Sequence, residues 1–455
     1  MLLLDRLLLV LDNLARISLK TPLGSFCLQL NCRCGIIKQK QIGRVGVMEK
    51  LKKYVELLVR KGVNIQPGQK LVVRCQVDLA YFGRLIMEEA YKAGAAKVLI
   101  LWDDEISGRI HYLNAPDDAF GHEYDWIKAR IKFLVDEGYN LLSVSAGDPE
   151  ILKGVDPVRV QKNMKAGSIM SKPLSDRVST SQIQWTIGSV PTPVWAKKVF
   201  PDAKSTEEAM ELMWDAIFFA SRVDDGCAVA NWDKHVAYLT EKSDKLMEYN
   251  FKSLHLKNSL GTDLVMEMPE GHVWISCGEK AKTGYNFIAN IPTEEVFSAP
   301  HRTGVNGIVY STKPLVYMGD IIDEFWIKFK DGKAVEYDAK VGKNLLEKLI
   351  TTHKNADHLG EIALVPHSSP ISQSGILWYN TLYDENASCH LAFGRGYGDC
   401  VKGAVGKSEE EQMEMGLNHS LAHEDFMVGS ACMDIIGTTF DGKEVQVFKQ
   451  GEWAI

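Results

Sequence analysis

The spacing of apolar positions changes along the chain. Leu51, Tyr54, Val55 and Leu58 fall at i, i+3, i+4 and i+7, the stripe of an amphipathic helix, which Gly62 ends. After Pro67-Gly68, the run Leu71-Val72-Val73 predicts a buried strand, Leu79 to Ala93 a helix closed by Gly94, and Val98-Leu99-Ile100-Leu101 a second buried strand. Strand, helix and strand of these lengths make the βαβ unit of a parallel sheet. A third strand is expected around Leu141 to Val144, and Ile183, Trp185 and Ile187 alternate as a fourth. Ser205 and Glu208 form a capping box for a helix running to about Ala220.

A helical stretch from Trp232 to Tyr249 precedes a change of texture. From about Ser253 the pattern is one of short strands and turn signals: Asn258 to Asp263, Glu324 to Lys330 turning at Asp331-Gly332, and Asp441-Gly442 near the end. Asp-Gly between alternating runs marks a hairpin, so this half reads as mainly antiparallel sheet with some helix. The fold class expected is therefore an α/β domain with a parallel sheet over residues 48–250, followed by an α+β domain rich in antiparallel strands over 251–455. Residues 1–47 differ from both. Leu2-Leu3-Leu4 and Leu7 to Leu11 are split by Asp5-Arg6, too short and too interrupted for a membrane span, and a basic stretch with Ser and Cys follows. This segment reads as a non-catalytic extension, and Met48 as a more natural start.

Composition narrows the partners. The 455 residues carry a net charge of −7, which gives no reason to expect nucleic acid or an acidic membrane as a partner. The nine Cys are an odd number without repeated spacing, which argues for a reducing compartment, the cytoplasm. No phosphate-binding glycine loop follows the first strand, so the α/β part shapes or covers a site rather than holding a nucleotide.

The chemistry-bearing residues crowd into the C-terminal part. Of 12 His, nine follow residue 250, an enrichment in the commonest metal ligand and general base. Two carboxylates, a His and a His-x-Asp suit a site for two divalent ions. Carboxylate oxygens can bridge an ion pair, while neutral imidazole and a terminal carboxylate cap each ion. Glu294 and Glu295 are successive residues of an extended segment and face opposite ways, so only one of them can enter such a site. Glu361 directly precedes an apolar strand, where an acid is costly unless paired or bound to metal. In His423-Glu424-Asp425 the first and third side chains share a face. Cys389 lacks the surroundings of a cysteine nucleophile, and no GxSxG motif supports a serine hydrolase.

Four segments carry a resemblance: Ile291-Pro-Thr-Glu-Glu-Val-Phe297, Leu359-Gly-Glu-Ile-Ala-Leu-Val-Pro366, Leu382-Tyr-Asp-Glu-Asn-Ala-Ser-Cys-His390, and His423-Glu-Asp-Phe-Met-Val-Gly-Ser430. In this order they resemble the motifs of the thermophilic metallo-aminopeptidase family, the aminopeptidase S and T group, from about Met48 to the C-terminus. The resemblance implies a two-domain homodimeric exopeptidase that removes N-terminal amino acids from peptides with a free N-terminus through a dimetal-activated water. It implies Glu295, Glu361, His390, His423 and Asp425 as ligands of two divalent ions (Zn, Co or Mn), and Tyr397 as a catalytic residue that donates to the oxyanion. Asp384, Glu385 and Asn386 read as structural or supporting, capping a helix that carries His390; His419 reads as structural. Glu424 stands where a neutral residue is expected. The competing expectations are another dimetal amidohydrolase or dipeptidase, and a non-catalytic peptide-binding homologue.

Overall fold

A computed structural model describes residues 46–455, so nearly all of the expected extension over residues 1–47 lies outside the described residues. The β-branched and leucine-rich runs form the strands Lys70–Gln76, Lys97–Asp103, Tyr139–Ser145 and Trp185–Ser189, all parallel. Asn290–Ile291, from beyond residue 250, adds a short fifth strand beside Trp185–Ser189. Leu71, Val72 and Val73 are fully buried, as a strand covered on both faces requires. Burial on this scale stabilises by about 1.5–3 kcal/mol per large apolar side chain. The helices Asp125–Asp136 and Pro157–Ser179 contribute Ile131, Leu134 and Leu174 to the core that holds Val72. Gly94, with φ of 97°, follows the helix Ala80–Lys92 and adopts the left-handed conformation that only glycine takes cheaply. Ser205 caps the helix Thr206–Ala220 by accepting from the Glu208 amide, which is half of the predicted capping box; the Glu208 carboxylate accepts from the Lys204 amide instead of that of Ser205.

The C-terminal part is antiparallel. Asp320–Lys330 and Lys333–Val341 form a hairpin that turns at Asp331-Gly332, and Asp434–Thr439 pairs with Glu444–Lys449 across Asp441-Gly442. Asn258 to Asp263 supplies the turn between the strands Phe251–Lys257 and Asp263–Glu267. These strands belong to a nine-stranded sheet. A second sheet has four strands in the order Val296–Ser298, Leu359–Leu364, His390–Gly394 and His423–Met427. One face of it packs on the long hairpin through aromatic rings. Phe393 and Phe426 stack with centroids 5.0 Å apart, Phe325 lies 5.7 Å from Phe426, and Phe329 lies 6.1 Å from Phe393. Residues 52–455 pack as one unit. Among the described residues no helix is long and apolar enough to cross a membrane.

Candidate metal centre

The four-stranded sheet decides which side chains meet. Directly opposed residues of an antiparallel sheet share a face, and the register opposes Glu361 to Ala392 and Ala392 to Asp425. Ala363 opposes His390, and Gly394 opposes His423. Glu361, His390, His423 and Asp425 therefore stand on one face, while Leu391, Phe393 and Phe426 fill the other. Glu295 lies two residues before Phe297, which opposes Ala363 on the same face. The methyl of Ala392, fully buried, leaves the space between Glu361 and Asp425 open for their longer side chains.

The five side chains converge as two trios that share one carboxylate. Glu295, Glu361 and His390 form one, and Glu361, His423 and Asp425 the other, each with donor atoms within 4.8 Å of one another. His390 Nε2 lies 3.1 Å from Glu295 Oε2 and 3.4 Å from Glu361 Oε1. His423 Nε2 lies 3.6 Å from Asp425 Oδ1 and 3.8 Å from Glu361 Oε2. Each imidazole is turned by its other nitrogen: His390 Nδ1 donates to the Ser388 carbonyl at 3.2 Å, and His423 Nδ1 to the Arg395 carbonyl at 2.8 Å. A carbonyl can only accept, so both Nδ1 atoms carry hydrogen and both Nε2 atoms face the carboxylates, able to offer a lone pair once they hold no proton. Glu295 Oε2 and Asp425 Oδ1 are buried without a hydrogen-bond donor. Buried carboxylate oxygens facing imidazole Nε2 atoms are the donor set of a divalent cation, and the residues fit one in each trio.

The protonation of the bare site tells the same story. Burial pushes the Glu361 carboxyl up to about 7, and neighbouring Asp425 and Glu295 add to the effect. Burial would lower His390, but the carboxylates of Glu295 and Glu361 beside its Nε2 outweigh it and hold the imidazole well above its usual range. Desolvation likewise opposes the Asp425 and Glu361 charges at His423, whose pKa is raised on balance. Protons thus neutralise the cluster where cations would.

Glu294 turns the other way, as alternation predicted. It is buried against Arg222, which donates to both of its oxygens at 2.5 and 2.7 Å. That engagement withdraws it from general-base duty. Tyr397 follows the strand His390–Gly394 in a glycine-rich loop, with its ring 4.9 Å from that of His423 and 42 % of the residue exposed. Two expectations need correction. His390 opens a strand rather than riding on a helix, because Ser388 is already extended and the apolar run Leu391 to Phe393 is sandwiched between strands. Glu385 starts no helix that carries His390: Asn380 caps the N-terminus of Thr381–Asp384, Asp384 accepts from the amides of Trp378 and Asn380, and Glu385 follows that short helix at its C-terminal end and borders the cavity beside the trios. Burial and the charges of Asp425 and Glu295 raise its carboxyl well above the usual range. Its only sequence signal was its position in the segment that ends at His390.

Three other histidines stay apart from the trios. His419 bonds Gln412 at 2.7 Å, His358 bonds Asp357 at 2.8 Å, and His367 lies 3.3 Å from Ser372 Oγ. Cys389 is buried with its thiol pushed up to about 11, unsuited to nucleophilic attack. Glu424 shares the Phe426 face and borders the cavity at the sheet edge; burial, then the Asp425 charge, pushes it up to about 7. The cavity in front of the trios measures about 450 Å³, large enough for the end of a peptide, and Trp185, Ile275 and Phe297 give it apolar walls.

The chain is similar to known aminopeptidases and matches a metalloprotease family. The model of the family described as thermophilic metalloprotease (M29) matches residues 47–453. Aminopeptidase AmpS of Bacillus subtilis is 42% identical over 406 residues, which is 89% of this chain and 98% of the relative. Aminopeptidase T of Thermus aquaticus is 37% identical over 407 residues, 90% of this chain and 99% of the relative. The solved structure of wild-type AmpT from Thermus thermophilus superposes with a TM-score of 0.84 at 35% identity, covering 90% of this chain and all of that one.

Proposed function

Since this chain belongs to the thermophilic metalloprotease family M29, we propose that it is an aminopeptidase that hydrolyses the N-terminal peptide bond with two divalent ions held by Glu295, Glu361, His390, His423 and Asp425. The observation that carries the reading is the sharing of Glu361 between two oxygen-and-nitrogen trios, one oxygen toward each imidazole. Glu385, at the cavity wall beside both trios, is a further candidate ligand.

Divalent cations held there would supply the Lewis acidity to make water nucleophilic near neutral pH and to polarise the scissile carbonyl. The chain's own residues do the rest. The apolar walls formed by Trp185, Ile275 and Phe297 hold the N-terminal side chain and exclude bulk water. Tyr397 donates its phenolic hydrogen to the developing oxyanion. Partial burial at the cavity wall, then the charges of Glu361 and Asp425, raises the phenol above its ordinary value, so it stays protonated at physiological pH. The six described cysteines are all unpaired, which supports a cytoplasmic enzyme. Homodimerisation is carried by the family resemblance.

The test is release of a chromophore from leucyl and arginyl anilides, with N-acetylated versions and unblocked dipeptides alongside, on metal-stripped protein before and after adding Zn, Co or Mn. The expected result is metal-restored cleavage of the free-amine substrates alone. Cleavage of acetylated substrates would favour a different amidohydrolase, cleavage of dipeptides alone a dipeptidase, and binding of two ions without any cleavage a non-catalytic peptide-binding role.

A further inference from the structure

Just before Glu295 in the chain, the peptide segment Thr293-Glu294 is gripped from three directions. His235 Nε2 donates to the Thr293 carbonyl at 2.8 Å. The Glu294 amide donates to Asn386 Oδ1 at 2.7 Å, and Asn386 Nδ2 is itself fixed on the Leu382 carbonyl at 3.1 Å. The Glu294 carboxylate, 2 % exposed, takes the bidentate pair from Arg222.

Arg222 is held as firmly. It sits just past the helix Thr206–Ala220 with φ of 55°, a left-handed conformation that a residue with a side chain keeps only when its surroundings impose it. Its carbonyl accepts from Asn231 Nδ2 at 3.1 Å, and its guanidinium lies 5.8 Å from the Trp232 ring. A buried ion pair of this kind contributes little net stability compared with an apolar pair of equal volume, but it fixes one geometry.

We propose that the Arg222–Glu294 pair is a positioning clamp: by drawing Glu294 into the interior it obliges the next side chain, Glu295, to face the cavity and present its oxygen to the Glu295–Glu361–His390 trio. Successive side chains of an extended segment point opposite ways, so the orientation of one is the orientation of the other. The planar fork of arginine matters, since two parallel bonds fix rotation about the carboxylate axis and a single lysine bond does not. The pair also cancels the Glu294 charge, which would otherwise add to the acids that crowd the centre. This inference rests on the two-ion reading of the site.

The experiment measures the affinity of each of two Zn ions by competition with a chromophoric chelator, in the wild-type chain and in Arg222→Met, Arg222→Lys and Glu294→Gln, with far-ultraviolet circular dichroism on the metal-free forms. The expected result is that one ion is weakened by about 10- to 100-fold in Arg222→Met, with less loss in the isosteric Glu294→Gln, which keeps the volume and one bond, and an intermediate loss in Arg222→Lys, while the second ion is held within about threefold. A uniform loss for both ions, following a loss of folded structure, would identify a merely structural pair and overturn the clamp. Should Arg222→Met not fold, Glu294→Gln decides alone, and wild-type affinity for both ions in that variant would overturn the proposal. If the wild-type chain binds no pair of ions, the two-ion reading fails and takes this inference with it; if it binds two and the variants match it, the clamp alone is wrong.

Discussion

Gly360 lies so close to Arg395 that a Cβ at position 360 would sit 2.3 Å from the Arg395 carbonyl oxygen. That same carbonyl accepts the hydrogen of His423 Nδ1. Gly360 is also the extra residue of a β-bulge: Leu359 opposes Phe393, yet Glu361 opposes the very next residue, Ala392. Without the bulge, Leu359 and Glu361 would share a face; with it, Leu359 joins the aromatic core and Glu361 turns to the cavity. One methyl at 360 therefore disturbs both trios. Gly360→Ala is expected to destabilise the chain by about 1–3 kcal/mol and to weaken ion binding about 10- to 100-fold, as read by thermal unfolding of the metal-free form and by chelator competition. Wild-type ion affinity in the variant would refute the bulge's role in aiming Glu361.

The gap kept by Ala392 between Glu361 and Asp425 makes a complementary prediction. Ala392→Leu fills it from the central strand, and overpacking costs about 1–3 kcal/mol in stability. Its larger effect is to hold the two carboxylates apart, so bound metal measured by atomic emission should fall from two ions toward one or none per chain. Ala392→Gly, which keeps the gap, should retain both ions. Two ions in the leucine variant would show that the carboxylates reach each other by another path.

Tyr397 can be separated from ion binding. Its hydroxyl belongs to neither trio, and its ring packs 4.9 Å from that of His423. Tyr397→Phe should leave metal content unchanged and lower kcat by about 10²- to 10³-fold, the scale of a lost oxyanion donor. A loss confined to KM would assign the hydroxyl to substrate binding instead.

Much of this was legible in the sequence because it depends on local period. The βαβ spacing, the Asp331-Gly332 and Asp441-Gly442 hairpins, and the opposite facing of Glu294 and Glu295 follow from rules that act over a few residues. What was not legible depends on contacts across the chain. The bulge at Gly360 exists because Arg395 approaches from another strand, and sequence period cannot show an extra residue in a ladder. Glu385 was read as a cap because Asp-Glu-Asn is cap-forming chemistry. Its side chain instead borders a cavity that Trp185, two hundred residues earlier, also lines. His390 was expected on a helix because the acids before it suggested one. Strand pairing on both sides overrode that local signal.

The last prediction concerns pH and follows from the protons that occupy the bare centre. Burial raises the Glu361 carboxyl from its ordinary 4.5 to about 7. Between those values the folded metal-free chain holds a proton that the unfolded chain has released, so folding is linked to proton uptake and stability falls as pH rises through this window. A shift of this size corresponds to at most about 3 kcal/mol, fully present below the unfolded value and lost by the folded one. His390, raised by its carboxylate partners, acts with the same sign at higher pH. Ion binding must expel these protons, because a carboxylate ligates only when ionised and an imidazole only when neutral. Metal-loaded protein should therefore show the opposite trend. Its unfolding midpoint should rise as pH climbs from about 5 toward 8, while that of chelator-treated protein falls, and the gap between them should widen steadily. Parallel curves would mean that Glu361 is not a shared ligand, since binding at that carboxylate cannot be independent of its proton.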